Sequence, residues 1–197
     1  MKELDEMLTQ LAGWCDPGKA QKLYELVTDN SIDSIIDVGV FEGKSTFALA
    51  FACRKRGRGK VYAVDSWSLD CCSEGLGESD LKFWTELDIA GFMLQFFRKA
   101  LEFDLLRWIY PIRLNSRLAS LALPEAGLIH LDANHSEYPS TSDVICWLPK
   151  LKSGGFLVMD DTHLASVGTS LKLAQEYCDV IDEISLPESH FTVLRKR

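Results

Sequence analysis

The sequence predicts a doubly wound α/β fold, a mostly parallel sheet with helices on both faces. Short apolar runs recur along the chain without strict polar alternation, as expected for strands covered on both sides. Helical stretches separate these runs. The last two runs are only five residues apart, a hairpin spacing that makes the last strand antiparallel. The seven predicted strands are 34–38, 61–64, 108–112, 128–131, 156–159, 180–185 and 191–195.

Two helices are predicted before the first strand. Leu4, Met7, Leu8 and Leu11 form one helical stripe, and Asp16-Pro17 is typical of an N-cap followed by a proline in the first turn. Further helices are predicted at 44–54, 80–103, 117–121, 139–151 and 171–178. We therefore expect N-terminal helices that cap the site in residues 1–30 and the main domain in residues 31–197.

Length and composition are those of an ordinary globular chain. The 197 residues suit one domain, and 47% apolar with 25% charged residues excludes a disordered polymer. The 29 acidic residues exceed the 21 basic ones, for a net charge of −8. This charge disfavours nucleic acid as a partner, because phosphate binding needs a positive field.

The chain is expected to be cytoplasmic and to have no membrane span. It contains no apolar run of about 18 residues, the length that a bilayer requires. Its N-terminal residues are too charged to lead into a signal peptide. Without such a signal, the six cysteines, including adjacent Cys71 and Cys72, are expected to be reduced thiols.

A glycine turn follows the first predicted strand and leads into a helix. Its spacing is Asp37-x-Gly39-x-x-x-Gly43. Glycine lets the backbone approach a ligand, and a helix N-terminus offers free N–H donors. The dinucleotide pattern G-x-G-x-x-G is missing, because Asp37 stands in place of its first glycine. A purely structural turn remains the alternative.

A second acid ends the second predicted strand. Asp65 lies about 20 residues beyond the glycine turn, where a carboxylate accepts hydrogen bonds from ribose hydroxyls. Trp67 follows at a position suited to cover an adenine. Its alternative role is to pack over the end of the sheet.

The fourth and fifth predicted strands also end in acids. Adjacent parallel strands bring Asp132, Asp160 and Asp161 to one edge of the sheet, where three carboxylates repel each other unless a cation lies between them. Oxygen ligands favour magnesium or calcium. His135, three residues after Asp132, is a candidate base. The alternative is that these acids only cap the following helices.

Taken in order, these motifs resemble class I S-adenosylmethionine (SAM)-dependent methyltransferases. Within that class the chain is similar to the metal-dependent small-molecule O-methyltransferases, which include the catechol enzymes and methyltransferase family 24. The resemblance covers about residues 14–197. It rests on the motifs above, on Asn115-Ser116, and on Lys152-Ser153-Gly154-Gly155 before Asp160-Asp161. Ala133-Asn134 departs from the Gly-Asp pair that the family often has.

The resemblance implies a Rossmann-like fold and a role for each matching residue. Gly39 would approach the methionine part of SAM, Ser45 would bind its carboxylate, and Ser116 would lie at the adenine. Asp132, Asp160 and Asp161 would hold Mg²⁺, and His135 would be the base. The residues expected at the cofactor are Asp37, Gly39, Phe41, Gly43, Ser45, Asp65, Ser66, Trp67, Ser116 and Asp132.

The implied activity is magnesium-dependent O-methylation of a small hydroxylated molecule. Two alternatives are a catalytically silent binding protein with this fold and an oxidoreductase with a nucleotide cofactor. Association into homo-oligomers is left open.

Overall fold

The computed structural model describes residues 2–187 and 189–197, and these residues form the predicted doubly wound sheet. The strand order is β3-β2-β1-β4-β5-β7-β6. Strands β1 to β5 pair in parallel, whereas β7 is antiparallel to both β5 and β6. The predicted fold class is therefore confirmed, including the antiparallel last strand. The strands are β1 Ser34–Val38, β2 Lys60–Val64, β3 Ile109–Ile112, β4 Ala126–Leu131, β5 Leu151–Asp160, β6 Cys178–Ser185 and β7 His190–Lys196.

Helices cover both faces of the sheet. Cores of buried side chains lie on the two faces, one beneath α1, α2, α3 and α6 and the other beneath α7, α8 and α9. None of the helices in the described part of the chain has the length and apolar character needed to cross a bilayer. The helices are α1 Lys2–Leu8, α2 Pro17–Asp29, α3 Lys44–Arg56, α4 Leu69–Cys72, α5 Glu78–Thr85, α6 Ile89–Glu102, α7 Ser116–Ala122, α8 Glu137–Trp147 and α9 Gly168–Gln175.

One helix prediction was wrong. The stretch 80–103 is two helices, α5 and α6, rather than one. The side chain of Asp88 accepts a hydrogen bond from the backbone N–H of Gly91 and so begins α6 with an N-cap. Apolar periodicity continues across such a break and does not reveal it.

The two N-terminal helices form as predicted. Asp16 caps α2 by accepting a 2.7 Å hydrogen bond from the N–H of Gly18, and Pro17 occupies the first turn. Leu4 in α1 and Leu23 in α2 are fully buried in the core that α3 also covers. The N-terminal helices are therefore anchored to the sheet domain by apolar packing. The division at residue 30 stays a prediction.

The register of the central strands brings their carboxyl ends to one edge. Val38 pairs with Val64 on one side and with Leu131 on the other, and Leu131 pairs with Met159. The next residues along each chain segment are Gly39, Asp65, Asp132 and Asp160. Parallel pairing alone therefore assembles the predicted site residues at one edge of the sheet.

Substitution of Gly39 by alanine is expected to destabilise the fold. Gly39 has a φ of +92°, and a Cβ there would overlap the carbonyl oxygen of Asp132. We expect a loss of at least about 2 kcal/mol in the free energy of unfolding, measured by chemical denaturation. Gly57→Ala is the matched control, because Gly57 also has positive φ (+68°) but its Cβ would meet nothing within 4 Å. That control should lose only about 1 kcal/mol of backbone strain. Equal losses in the two variants would contradict the steric explanation.

Candidate active site

A cavity of about 370 Å³ opens at this edge of the sheet. Its volume lies within the usual range for small-molecule sites, about 300–1,000 Å³. The glycine turn, the end of β2, the start of α7 and the acids after β4 and β5 contribute its walls. The predicted site residues that line it are Gly39, Phe41, Gly43, Ser45, Asp65, Ser66, Trp67, Ser116, Asp132, His135, Asp160 and Asp161.

Asp65 holds the glycine turn in place. Its Oδ2 accepts hydrogen bonds from the N–H groups of Val40 and Phe41, both at 2.9 Å, and its Oδ1 accepts one from Trp67 at 2.7 Å. Burial raises the pKa of Asp65, while these three N–H groups oppose that shift. A carboxylate has about four acceptor positions, so about one remains for a ligand.

Asp37 is the predicted cofactor residue that does not line the cavity. It is fully buried behind the turn, where Oδ2 accepts hydrogen bonds from Ser45 Oγ at 2.9 Å and from Thr46 Oγ1 at 2.5 Å. Its Oδ1 lies 2.7 Å from Nδ1 of His130. The acid therefore joins β1, β4 and the start of α3, and the hydroxyl of Ser45 is directed to this acid.

His130, for which no role was predicted, lies behind the site. It is fully buried, and its Nε2 lies 3.9 Å from Oδ2 of Asp132. His130 and Asp132 are two residues apart on one strand, so they share a face of the sheet. That spacing was the available signal. In the structure His130 contacts Asp37 through Nδ1, whereas its Nε2 has no hydrogen-bond partner among the described residues.

Trp67 and Ser116 both line the cavity, and each makes a hydrogen bond to another group of the protein. The indole N–H of Trp67 donates to the carbonyl oxygen of Phe41 at 2.9 Å, and its ring packs on Phe96 with centroids 5.5 Å apart. Ser116 donates to Oδ1 of Asp143 at 2.6 Å. Burial raises the pKa of Asp143 to about 6, with the Ser116 hydrogen bond opposing the shift.

An ammonium group lies inside the predicted metal cluster. Nζ of Lys19 is 2.7 Å from Oδ2 of Asp132 and 2.6 Å from Oδ2 of Asp160. Lys19 is fully buried, and although burial opposes its charge, the two carboxylates raise its pKa above the ordinary value. Burial and the neighbouring Asp132 raise the pKa of Asp160, and the charge of Lys19 opposes this shift. In residues 2–187 and 189–197, no three His, Cys, Asp or Glu side chains are arranged to hold a metal ion.

The third acid of that cluster is bound to His135. Oδ2 of Asp161 lies 2.6 Å from Nδ1 of His135, which must carry the proton because a carboxylate only accepts. Nε2 of the same ring lies 3.5 Å from Oδ1 of Asp132 and makes no well-formed hydrogen bond with the described residues. Burial opposes a charged ring, but Asp132 and Asp161 outweigh it and raise the pKa of His135 to about 10.

Comparison with known proteins identifies the family. The profile of methyltransferase family 24, a methyltransferase domain, matches residues 36–162, which is most of the chain. The chain belongs to this methyltransferase family. A comparison with curated protein sequences gives no significant match.

Solved methyltransferases share the fold at low sequence identity. The O-methyltransferase from Bacillus cereus in complex with SAH is 15% identical, with a TM-score of 0.65, over 100% of this chain and 90% of that chain. The SAH-bound methyltransferase PaMTH1 from Podospora anserina is 13% identical, with a TM-score of 0.64, over 92% and 79%. The O-methyltransferase NovP is 14% identical, with a TM-score of 0.68, over 91% and 79%.

Asn134 of this methyltransferase has a role that the sequence did not reveal. Its side-chain amide lies within 3.3 Å of three carbonyl oxygens, those of Cys71, Cys72 and Glu74. These bonds hold the segment after β2 against the end of β4, beside the cavity. Burial raises the pKa of the Cys72 thiol to about 12, which makes it a poor nucleophile.

Aromatic side chains form one wall of the cavity. Phe41 contacts Phe92 with ring centroids 4.0 Å apart, and Trp14 contacts both Phe41 (5.6 Å) and Phe83 (6.1 Å). Trp84 completes this wall. By contrast, Phe96 is fully buried against Phe47 and belongs to the core.

Asp143→Asn is expected to change how stability depends on pH. Because burial raises the pKa of Asp143 from 3.8 to about 6, ionisation favours the unfolded chain, and wild-type stability should fall as pH rises from about 4 to 6. The asparagine variant lacks this loss. Its free energy of unfolding relative to that of wild type should therefore rise by about 2–3 kcal/mol over that interval. Denaturation at several pH values measures the difference. Trp147→Phe, which keeps the acid, should follow the wild-type pH dependence. An unchanged difference between Asp143→Asn and wild type would contradict the burial argument.

Proposed function

We propose that this methyltransferase transfers the methyl group of SAM to an oxygen of a small hydroxylated molecule, with His135 as the general base. Family membership supports methyl transfer and SAM. The oxygen acceptor and the base are our proposal. The observation that carries it is the position of His135, which lines the same cavity as the glycine turn and is held through its Nδ1 by Asp161.

The walls near the glycine turn suit the cofactor. When bound, SAM supplies a methyl group that is electrophilic because a sulfonium carries it. Gly39 lets the backbone come close to the ligand, and the remaining acceptor position of Asp65 suits a ribose hydroxyl. Ser66, Trp67 and Ser116 would border the adenine.

His135 is oriented for proton transfer by Asp161. The Nδ1–H group donates to Asp161, which leaves the lone pair of Nε2 to accept a proton from the acceptor hydroxyl. The two neighbouring acids make the ring a strong proton acceptor, with a pKa of about 10. The neutral ring is therefore the minority form at pH 7, and turnover through this base should rise with pH.

The aromatic wall supports a flat acceptor. Trp14, Phe41, Phe83, Trp84 and Phe92 offer ring faces and edges that pack well against another ring. A phenolic hydroxyl has an ordinary pKa of about 10, so it loses its proton to a nitrogen base more readily than an aliphatic alcohol does. We therefore propose a small hydroxylated aromatic molecule as the acceptor class.

The magnesium requirement lacks support from the described residues. Lys19 lies where a cation would meet Asp132 and Asp160, and Asp161 is engaged by His135. The residues present do not fit a divalent ion, so no step is assigned to one. A cytoplasmic location, the exclusion of nucleic acid and self-association stay predictions.

SAM binding is expected to depend on Asp65. We expect micromolar binding to the wild-type chain by calorimetry and its loss in Asp65→Ala, which also frees the N–H groups of the glycine turn. Asp88→Ala is the matched control, because it removes a carboxylate that accepts a backbone N–H at the start of α6 and does not itself line the cavity. If wild type binds NAD instead, an oxidoreductase is favoured. If it binds neither ligand, a silent binding protein is favoured.

Replacing His135 by glutamine is expected to lower turnover by about 10²–10⁴-fold, the usual contribution of a general base. Affinity for SAM should stay within about twofold, because the ring is not expected to contact the cofactor. His163→Gln is the matched control, since His163 also lies near Asp161 (3.9 Å) but does not line the cavity. Unchanged turnover in His135→Gln, or an equal loss in the control, would refute the base assignment.

A further inference from the structure

We propose that the ammonium group of Lys19 replaces the metal ion at the acid cluster, so that methyl transfer by this chain needs no divalent cation. This inference concerns the same site as the proposed function. Only its turnover measurement depends on that function being correct. Metal binding can be measured without any acceptor.

The first argument is the space that the ammonium fills. Nζ of Lys19 lies between Asp132 and Asp160, at 2.7 and 2.6 Å from one oxygen of each. A magnesium ion would have to place carboxylate oxygens at about 2.0–2.1 Å around itself, at the centre that the nitrogen occupies. Two cations cannot share that position, because they repel each other and compete for the same oxygens.

The second argument is electrostatic. Two carboxylates that come together at a sheet edge repel each other, and the sequence predicted a cation for this reason. Lys19 supplies that cation from within the chain. A buried lysine is costly unless its charge is paired, and these two acids pair it. The ammonium therefore offsets the repulsion between the two acids from within the chain, and Oδ1 of Asp160 is left without a hydrogen-bond partner among the described residues.

The third argument is the commitment of the remaining acid. Asp161 was predicted as the third metal ligand. Its Oδ2 lies 2.6 Å from Nδ1 of His135, so this carboxylate already accepts a hydrogen bond from the ring. A metal that recruited Asp161 would remove the group that orients the proposed base. The cluster is thus divided into two groups, Lys19 with Asp132 and Asp160 and His135 with Asp161, rather than one shared ligand set.

The position of Lys19 follows from the start of α2. Asp16 and Pro17 fix the first turn of that helix, and Lys19 lies in the turn that points to the carboxyl ends of β4 and β5. Lys22, one turn later, pairs instead with Asp182 at the surface, at 2.8 Å. Helix α2 therefore carries two lysines in ion pairs, Lys19 in a buried one and Lys22 in a partly exposed one.

Lys19 acts here as a positioning residue. It is fully buried and does not line the cavity, so it contacts Asp132 and Asp160 but not the acceptor. Its single charge lies behind the acids. Activation of the acceptor hydroxyl is then left to His135, without a Lewis acid.

The first test uses the wild-type chain. After dialysis against EDTA, Mn²⁺ is titrated and followed by electron paramagnetic resonance, and SAM binding is measured in the same samples by calorimetry. We expect SAM to bind without metal and Mn²⁺ to show no binding up to about millimolar concentration. Turnover, once an acceptor is found, should be the same in EDTA and in Mg²⁺. Stoichiometric Mn²⁺ binding, or turnover lost in EDTA and restored by Mg²⁺, would overturn the inference. Absence of SAM binding would instead refute the proposed function.

The second test removes the ammonium and keeps most of the apolar stem. Lys19→Met leaves two acids unpaired, so we expect a lower melting temperature, new Mn²⁺ binding and a rise in melting temperature when Mn²⁺ is added. Lys22→Met is the matched control on the same helix and should show none of these changes. A Lys19→Met variant that melts like wild type and binds no Mn²⁺ would contradict the assigned role.

A fallback variant covers the case in which Lys19→Met does not fold. The double change Lys19→Met with Asp132→Asn removes one buried charge together with the ammonium, and we expect it to fold better than the single variant. Recovery of folding in the double variant supports the ion-pair role. Failure of the double variant to recover, together with Mn²⁺ binding by wild type, would refute it.

Discussion

The ion pairs of Lys19 with Asp132 and Asp160 connect the N-terminal helices to the edge of the sheet where the cavity lies. Three chain segments that are far apart in sequence, α2, the end of β4 and the end of β5, meet at one nitrogen atom. Removing one partner of such a buried pair leaves an uncompensated charge, at a cost of about 3–5 kcal/mol. The first residues of α2 are therefore part of the candidate active site, besides packing against α3.

A second polar network supports the same edge from behind. Asp37 contacts Ser45, Thr46 and His130, and His130 in turn lies beside Asp132. Asp37, Ser45, Thr46 and His130 are buried, so the hydrogen bonds that Asp37 makes to the other three offset lost hydration. This network ties β1 and the start of α3 to β4 behind the glycine turn.

The candidate site divides into chemically different walls. Asp65 and the glycine turn present hydrogen-bonding groups that suit the cofactor, whereas Trp14, Phe41 and Phe83 present rings that suit the acceptor. Asn134 ties the segment of Cys71 and Cys72 between them. Methyl transfer requires two ligands that lie next to each other, and walls of both kinds line this one cavity.

The sequence by itself determined the doubly wound fold class, the antiparallel last strand and the acids that meet at the carboxyl edge, because the carboxyl ends of parallel strands lie at one edge of a sheet. The order of the strands came from the structure. It also predicted His135 and the three acids as neighbours, and it placed Asp65 separately at the end of the second strand. Only the tertiary structure decided what those acids bind. Lys19 stands in a helix more than 100 residues before Asp132 and carries no local signal, since a lysine in a first turn is usually exposed. The break at Asp88 and the internal role of Asp37 were hidden for the same reason: they depend on side-chain partners that periodicity and motif spacing do not contain.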